Sequence, residues 1–330
     1  MYSGIKPKNR LVMSEIKIFY REDNQIYVKE DIIWAVTNAD KILWVDMEKP
    51  DEETKSLLEE KFNIDIRTEK EIVEIETSSR YIENEGQIVA NTNFSTLTTD
   101  DNFDADMVSM IIKNNTLFTI RKRTYRDFYL THNKILTLPR LFKNGFQALT
   151  SLLETRVDYE ADMVEFIAKK IDKISTEIGV NEDIDNELLM DIKELQEKSM
   201  IIRESIIDKQ RIVTSFMRSE QIPKETKEKF LILIKDITSL IDYSKFNFER
   251  LEYLQDTFLG LINIEQNKII KIFTVVSVIF MPPTLIASIY GMNFHFMPEL
   301  KLNFGYPLSI GLMILSSAGT LLFFKRKKWL

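Results

Sequence analysis

Over the first 145 residues, short apolar runs alternate with charged stretches. EIKIFY, QIYV, ILWVDM, QIVANTNFSTL, MVSMII and TLFTIRK have the length and the β-branched and aromatic content of strands. Between the third and fourth lies PDEETKSLLEEKF, where Pro50 and three acids in the first turn favour a helix start. Strand and helix in alternation, then three strands in succession, predict a sheet with helices packed on it. Residues 1–145 therefore read as one α/β domain.

From about Gln147 the apolar spacing becomes helical, and up to Ile270 the only breakers are Gly179, Pro223 and Gly260. The pattern predicts one helix to about Ile178, a second from about Asp185 to Ser219, and a third from Lys224. Nothing stops the third before the apolar runs that follow, so it extends for about 65 residues, or about 100 Å at 1.5 Å per residue. Its apolar stripe, Ile234, Ile237, Leu240, Ile241, Leu251, Leu254, Phe258 and Leu261, requires packing in a bundle or against further copies. Residues 146–270 are thus a helical stalk.

Two uncharged runs close the chain, Ile272–Tyr290 and Phe304–Phe324, each about the length that crosses a ~30 Å hydrocarbon core. Whole-chain composition, 44% hydrophobic and 29% charged, hides this concentration at one end. Residues 271–330 are expected to form a two-helix transmembrane domain. Lys268 and Lys271 precede the first run, and Lys325, Arg326, Lys327 and Lys328 follow the second. The connecting loop holds one base, Lys301, against Glu299. The positive-inside rule places both termini in the cytoplasm and the loop outside, and no signal-type apolar core occupies the first 30 residues.

Charge and motifs exclude several classes. A net charge of -7 argues against nucleic acid and suits a domain that meets cations. Without cysteine there are no disulfides, thiolate metal sites or cysteine nucleophiles. No phosphate loop, HExxH or Ser/His/Asp pattern appears, so no nucleotide cofactor is expected and the protein is not an enzyme. The two histidines, His132 and His295, are too few for a zinc site within one chain, and His132 reads as a surface residue.

Heptad numbering of the first span aligns Asn267, Ile270, Thr274, Ser277, Met281, Thr284 and Ser288 on one face. Hydroxyls there either bond back to their own helix or line a shared lumen. Pro282 and Pro283 free carbonyls at mid-span, which is tolerated where neighbours or water satisfy them. The span ends at Tyr290-Gly291-Met292-Asn293, followed by FMPEL.

These residues carry a resemblance. The stretch from GLINIEQNKIIKIF through MPPTLIASIYGMN to KRKKWL is similar to the CorA family of magnesium channels, over roughly the last 80 residues closely and more loosely before them. The resemblance implies a funnel-shaped homopentamer, with an α+β cytoplasmic domain, long stalk helices and two C-terminal transmembrane helices in the cell (inner) membrane. It implies passive transport of Mg2+, with Co2+ and Ni2+ as further candidate ions. Asn293, Thr284, Met281, Ser277, Phe273, Ile270 and Asn267 would line the pore, Phe273 replacing the Thr274 of the heptad count. Ile270, Phe273 and Met281 would be its apolar constrictions. Related zinc transporters carry Val at the position of Met292, so an intact Gly-Met-Asn favours magnesium.

The family closes its pore with divalent ions bridging carboxylates between subunits. The matching positions are Glu71 in EKEIVE and Asp236 in LIKDITSL, making Mg2+ regulatory as well as transported. By the same resemblance Asp256 contributes to an inner vestibule, and the basic tail from Lys325 to Lys328 packs around the neck or anchors on anionic lipid. Many relatives have Glu where His295 stands, which leaves Glu299 as the acid of the outer loop. Weaker cation attraction is the expected consequence, with further loss as the imidazole protonates. The alternatives are a zinc or other divalent transporter, or a membrane-anchored helical scaffold.

Overall fold

A seven-stranded sheet organises the N-terminal region. The computed structural model describes residues 15–66, 80–84, 86–98, 101–180, 186–293 and 295–327. In chain order its elements are β1 (Glu15–Glu22), β2 (Gln25–Lys29), α1 (Ile32–Thr37), β3 (Ile42–Glu48), α2 (Glu52–Phe62), β4 (Tyr81–Asn84), β5 (Gln87–Leu97), β6 (Phe103–Lys113), β7 (Thr116–Arg121), α3 (Arg126–Thr137), α4 (Gly145–Val180), α5 (Asn186–Arg218), α6 (Lys224–Tyr290) and α7 (Gly305–Arg326). The strand order is β2-β1-β3-β7-β6-β5-β4. Only the central β3–β7 pair is parallel; the other five ladders are antiparallel.

Local chemistry explains the turns. Asp23-Asn24 and Asn114-Asn115 all have positive φ, the conformation that two-residue hairpins need and that Asn and Asp tolerate best. Helix α2 begins at Glu52, with Asp51 as its cap accepting from Thr54 N at 2.8 Å, so Pro50 precedes the helix instead of lying in its first turn. A Cβ on Gly145 would sit 2.4 Å from Leu117 N, so only glycine lets α4 start against the β6–β7 hairpin.

Both sheet faces are covered, which is why Ile42–Met47 of β3 is buried at every position. Ile18, Val45, Met47, Leu58, Val89 and Phe118 pack with α1 and α2 on one face. Phe19, Trp44, Phe94 and Phe128 meet on the other, beneath α3. His132 of α3 belongs to that second core and not to the surface: it is 7% exposed, with ring centroids 4.8 Å from both Phe19 and Trp44. The apolar face of α3 carries it inward, a burial that its isolated position in the sequence does not reveal.

Beside it, Asp46 is 1% exposed. It accepts from Thr119 Oγ1 at 2.7 Å and Arg121 Nη2 at 2.9 Å, and its Oδ2 lies 3.1 Å from His132 Nε2. Burial alone would raise the Asp46 pKa; the imidazole and the guanidinium outweigh it and hold the carboxyl at about 2, below the ordinary 3.8. A depressed carboxyl pKa stabilises the fold fully above the unfolded value, and that contribution is lost as pH falls from about 4 through 2. Acid titration of unfolding should therefore show a loss of about 2 kcal/mol in this window that Asp46→Asn lacks. An identical acid limb in both proteins would contradict this role.

The free edge of β5 is capped by side chains. β4 pairs only with Gln87–Ala90, which leaves the edge groups of residues 91, 93, 95 and 97 without a strand. Asn91 N donates to Arg80 O at 2.8 Å. Asn93 N donates to Asp208 Oδ2 at 3.0 Å, and Asn93 O accepts from Ser205 Oγ and Lys209 Nζ of α5. Ser95 O accepts from Arg156 Nη2 of α4 at 2.7 Å, and Leu97 N donates to Tyr159 OH at 3.4 Å. Two helices thus replace the missing strand and satisfy backbone groups that burial would otherwise make costly.

The described residues divide into two compact units, the first reaching Tyr253 along α6 and the second beginning at Leu254. The first ends along α6, whose buried seam is Phe230, Leu233, Ile237, Ser244, Asn247 and Leu251. Of the predicted stripe, Ile237, Leu251, Leu254 and Phe258 are buried, and Ile234, Leu240, Ile241 and Leu261 are half-buried.

Candidate ion pathway

Helix α6 runs unbroken for 67 residues through Pro282 and Pro283. Its last third and the 22-residue α7 are both long and apolar enough to span a bilayer. Only 6% of the most apolar window of α6 is buried, and 11% of that of α7. Ile270, Phe273, Phe280 and Met281 each expose more than 60% of their surface. So large a continuous apolar surface needs lipid or further protein around it.

The first span has two distinct sides. Its less exposed positions, Val275, Val278, Ile279, Pro282, Pro283 and Ile286, recur at helical spacing and share one half of the helix. Ile270, Phe273, Ser277, Met281 and Thr284 fall on the opposite half, Asn267 lies at its margin, and all six are exposed. Thr274 is exposed as well, so exposure does not choose between it and Phe273. The hydroxyls of Thr274 and Thr284 donate at 2.7 Å to Ile270 O and Phe280 O, one turn back on their own helix. Proline lacks an N–H, so Pro282 and Pro283 cannot bond the carbonyls of Val278 and Ile279.

The helix stops at Gly291-Met292. Gly291 N donates to Ala287 O at 2.9 Å and Met292 N to Ile289 O at 3.3 Å, after which the chain leaves the helix at exposed Asn293. Tyr290 is half-buried at the last helical position; His295 and Glu299 are exposed in the loop. Pro298–Lys301 form a single 3-10 turn that packs back on the start of α7. A Cβ at Gly305 would stand 2.7 Å from Glu299 O, so glycine there keeps this turn tight against the second span.

The other predicted residues are dispersed. Asp236 is exposed and lines a groove of about 300 Å3 between α4 and α6, with Glu154, Asp158, Lys134 and Lys229 also on its walls. Asp256 is exposed on α6, as are Lys325, Arg326 and Lys327 at the end of α7. Glu71 and Lys328 lie outside the described residues. Ser244 and Asn247 were missed because an apolar stripe does not count polar residues; the three-four spacing, followed through polar positions, would have found them.

Known proteins share this arrangement. The family model described as CorA-like Mg2+ transporter protein matches residues 39–326. A magnesium transport protein CorA of Wolinella succinogenes is 40% identical over 297 residues, covering 89% of this chain and 92% of its own length. That of Campylobacter jejuni is 38% identical over 340 residues and covers both chains completely. Among solved structures, the complete CorA magnesium transporter from Methanocaldococcus jannaschii matches with a TM-score of 0.81 over 97% of this chain and 99% of its own. At 24% identity it establishes the fold. Members of this family are transporters, not enzymes. From β3 onward the sheet-and-helix region, the long helix entering the first span and the Gly-Met-Asn terminus all fall within the residues the family model matches, and this chain belongs to the CorA-like Mg2+ transporter family.

Proposed function

We propose that the protein is a passive Mg2+ channel of the inner membrane, assembled as a homopentamer with both termini in the cytoplasm. The observation that carries this reading is the first span itself: one exposed face from Asn267 to Thr284 leads to a helix end at Gly291-Met292-Asn293. Mg2+ holds its water tightly and prefers octahedral oxygen ligation. Five Asn293 amides would hydrogen-bond its first-shell waters without holding the ion too strongly to release. Tyr290 would brace this mouth, while Ile270, Phe273 and Met281 form apolar constrictions that gate by dewetting. The functional division is a cytoplasmic domain to residue 145, a stalk to 270 and a pore domain from 271.

The membrane potential suffices as driving force: at about 2.3 kcal/mol per charge per 100 mV, a divalent ion gains about 5 kcal/mol. Proteoliposomes with an imposed inside-negative potential should take up Mg2+ without ATP, with Co2+ and Ni2+ competing. If Zn2+ is taken up in preference to Mg2+, the ion assignment fails; if no divalent ion crosses, the channel reading fails in favour of a scaffold. His295 in place of an acid leaves Glu299 as the anionic group of the mouth, so His295→Glu should raise the apparent Mg2+ affinity in the same assay.

Closure is assigned to cytoplasmic Mg2+ held between subunits by Glu71 and Asp236, with Asp256 adding negative potential at the inner end and Lys325 to Lys328 lying against lipid or the neck. Apposed carboxylates repel unless a cation lies between them. Asp236→Ala should raise the Mg2+ concentration needed to close the channel and weaken Mg2+ protection against protease. An unchanged Mg2+ response in both assays would remove Asp236 from the regulatory site.

A further inference from the structure

Between Phe230 and Leu251 the seam that holds α6 against the rest of its unit is apolar except at one level; Thr226, 2% exposed, is a polar residue in its first turn. Ile237 and Leu251 are fully buried, and between them lie Ser244 at 2% exposure and Asn247 at 0%. Asn247 Nδ2 donates to Val164 O of α4 at 3.5 Å, the outer limit of a hydrogen bond. Its Oδ1 is buried without a protein partner. Val164, Ile167 and Ile171 of α4 are themselves at most 2% exposed, so the amide lies in an apolar interface. On the rim, Arg250 pairs with Asp172 of α4 at 2.5 Å, but both are solvent-accessible and such a pair adds little.

An amide in this position is worse off packed than hydrated, because water would satisfy both of its polar atoms. An apolar residue at the same place would gain from burial. A polar residue in a helical seam also disfavours alternative registers, since any slip buries it elsewhere. We infer that the Ser244–Asn247 layer is a weak joint between α4 and α6, which eases their parting, returns them to one register, and sets the Mg2+ concentration at which the channel switches. The joint itself follows from the packing; its effect on switching rests on the regulatory reading above.

Hydrogen–deuterium exchange on the full-length protein in nanodiscs tests the joint, comparing wild type with Asn247→Leu, and with Asn247→Val in case leucine overfills the site. Exchange around Val164 and Asn247 should slow roughly tenfold, equivalent to about 1.4 kcal/mol. In proteoliposomes the Mg2+ concentration that halves uptake should fall by a similar factor. Unchanged or faster exchange in both variants overturns the joint. Slower exchange with an unmoved Mg2+ midpoint overturns its part in switching. A wild type whose uptake ignores internal Mg2+ overturns the regulatory reading and the switching half together, while exchange still decides the joint.

Discussion

Asn293→Ala should lower Mg2+ uptake into proteoliposomes by roughly 10- to 100-fold, since a hydrogen bond to a charged group is worth about 1.5–3 kcal/mol and the change removes one from every subunit. Asn293 stands immediately after the Gly291-Met292 turn, exposed at the end of the first span. In the proposed channel the amide would supply neutral oxygen to a hydrated dication; alanine would supply none, and the ion would have to pass the mouth without exchanging contacts for its lost outer water. Asn293→Asp tests the other limit, because a ring of carboxylates would bind the ion more tightly and slow its release. A fluorescent Mg2+ indicator inside the vesicles reads both variants. Uptake within twofold of wild type for Asn293→Ala would move selectivity away from the Gly-Met-Asn turn.

Glu160→Gln should be the most destabilising conservative change in the cytoplasmic region. Glu160, Arg156 and Lys209 are all completely buried. Glu160 Oε1 accepts from Ser205 Oγ at 2.8 Å, lies 2.7 Å from Lys209 Nζ and 3.2 Å from Arg156 Nη2. Both cations also lie against Phe94, whose ring is 4.7 Å from the Arg156 guanidinium and 5.2 Å from Lys209 Nζ. Burial already pushes the Lys209 ammonium down to about 8 from 10.5, although Glu160 opposes the shift. A lysine pKa lowered on folding is a cost borne at pH below 8 that fades as pH rises to 10.5, and removing Glu160 enlarges it. Breaking one partner of such a buried set costs about 3–5 kcal/mol. Thermal unfolding of the solubilised protein should drop by about 10 °C for Glu160→Gln, at about 2–4 °C per kcal/mol. The double replacement Glu160→Leu with Lys209→Met should lose less than the two single changes combined. Strict additivity would show that these charges do not act as a set.

Much of this architecture was legible because it depends on local periodicity. The six strand runs and the three long helices are where the alternation, the helical spacing and Pro223 put them, within a few residues. What escaped was short or polar. α1 and β4 are too brief to show a period, and α3 owes its orientation to its contacts with the sheet. His132 looked like a surface residue because a lone histidine on a short helix carries no sign of which side faces the core. Asp46 was one acid among 51 until the fold placed Arg121, Thr119 and His132 around it.

The sequence alone determined the features set by continuous chemistry along the chain. Two uncharged runs of membrane length, a stop at Gly-Met-Asn and a basic tail owe their meaning to the bilayer, a solvent that reads length and charge directly. Only the tertiary structure decided how the sheet edge of β5 is satisfied, which charges are buried together, and that the seam of α6 turns polar at Ser244 and Asn247. Those outcomes join residues distant in sequence: Ser95 with Arg156, Asn93 with Asp208, Glu160 with Lys209, and Val164 with Asn247. Periodicity identifies the side of an element that will be buried. It does not name the element that buries it, because that partner is chosen by packing across the whole fold.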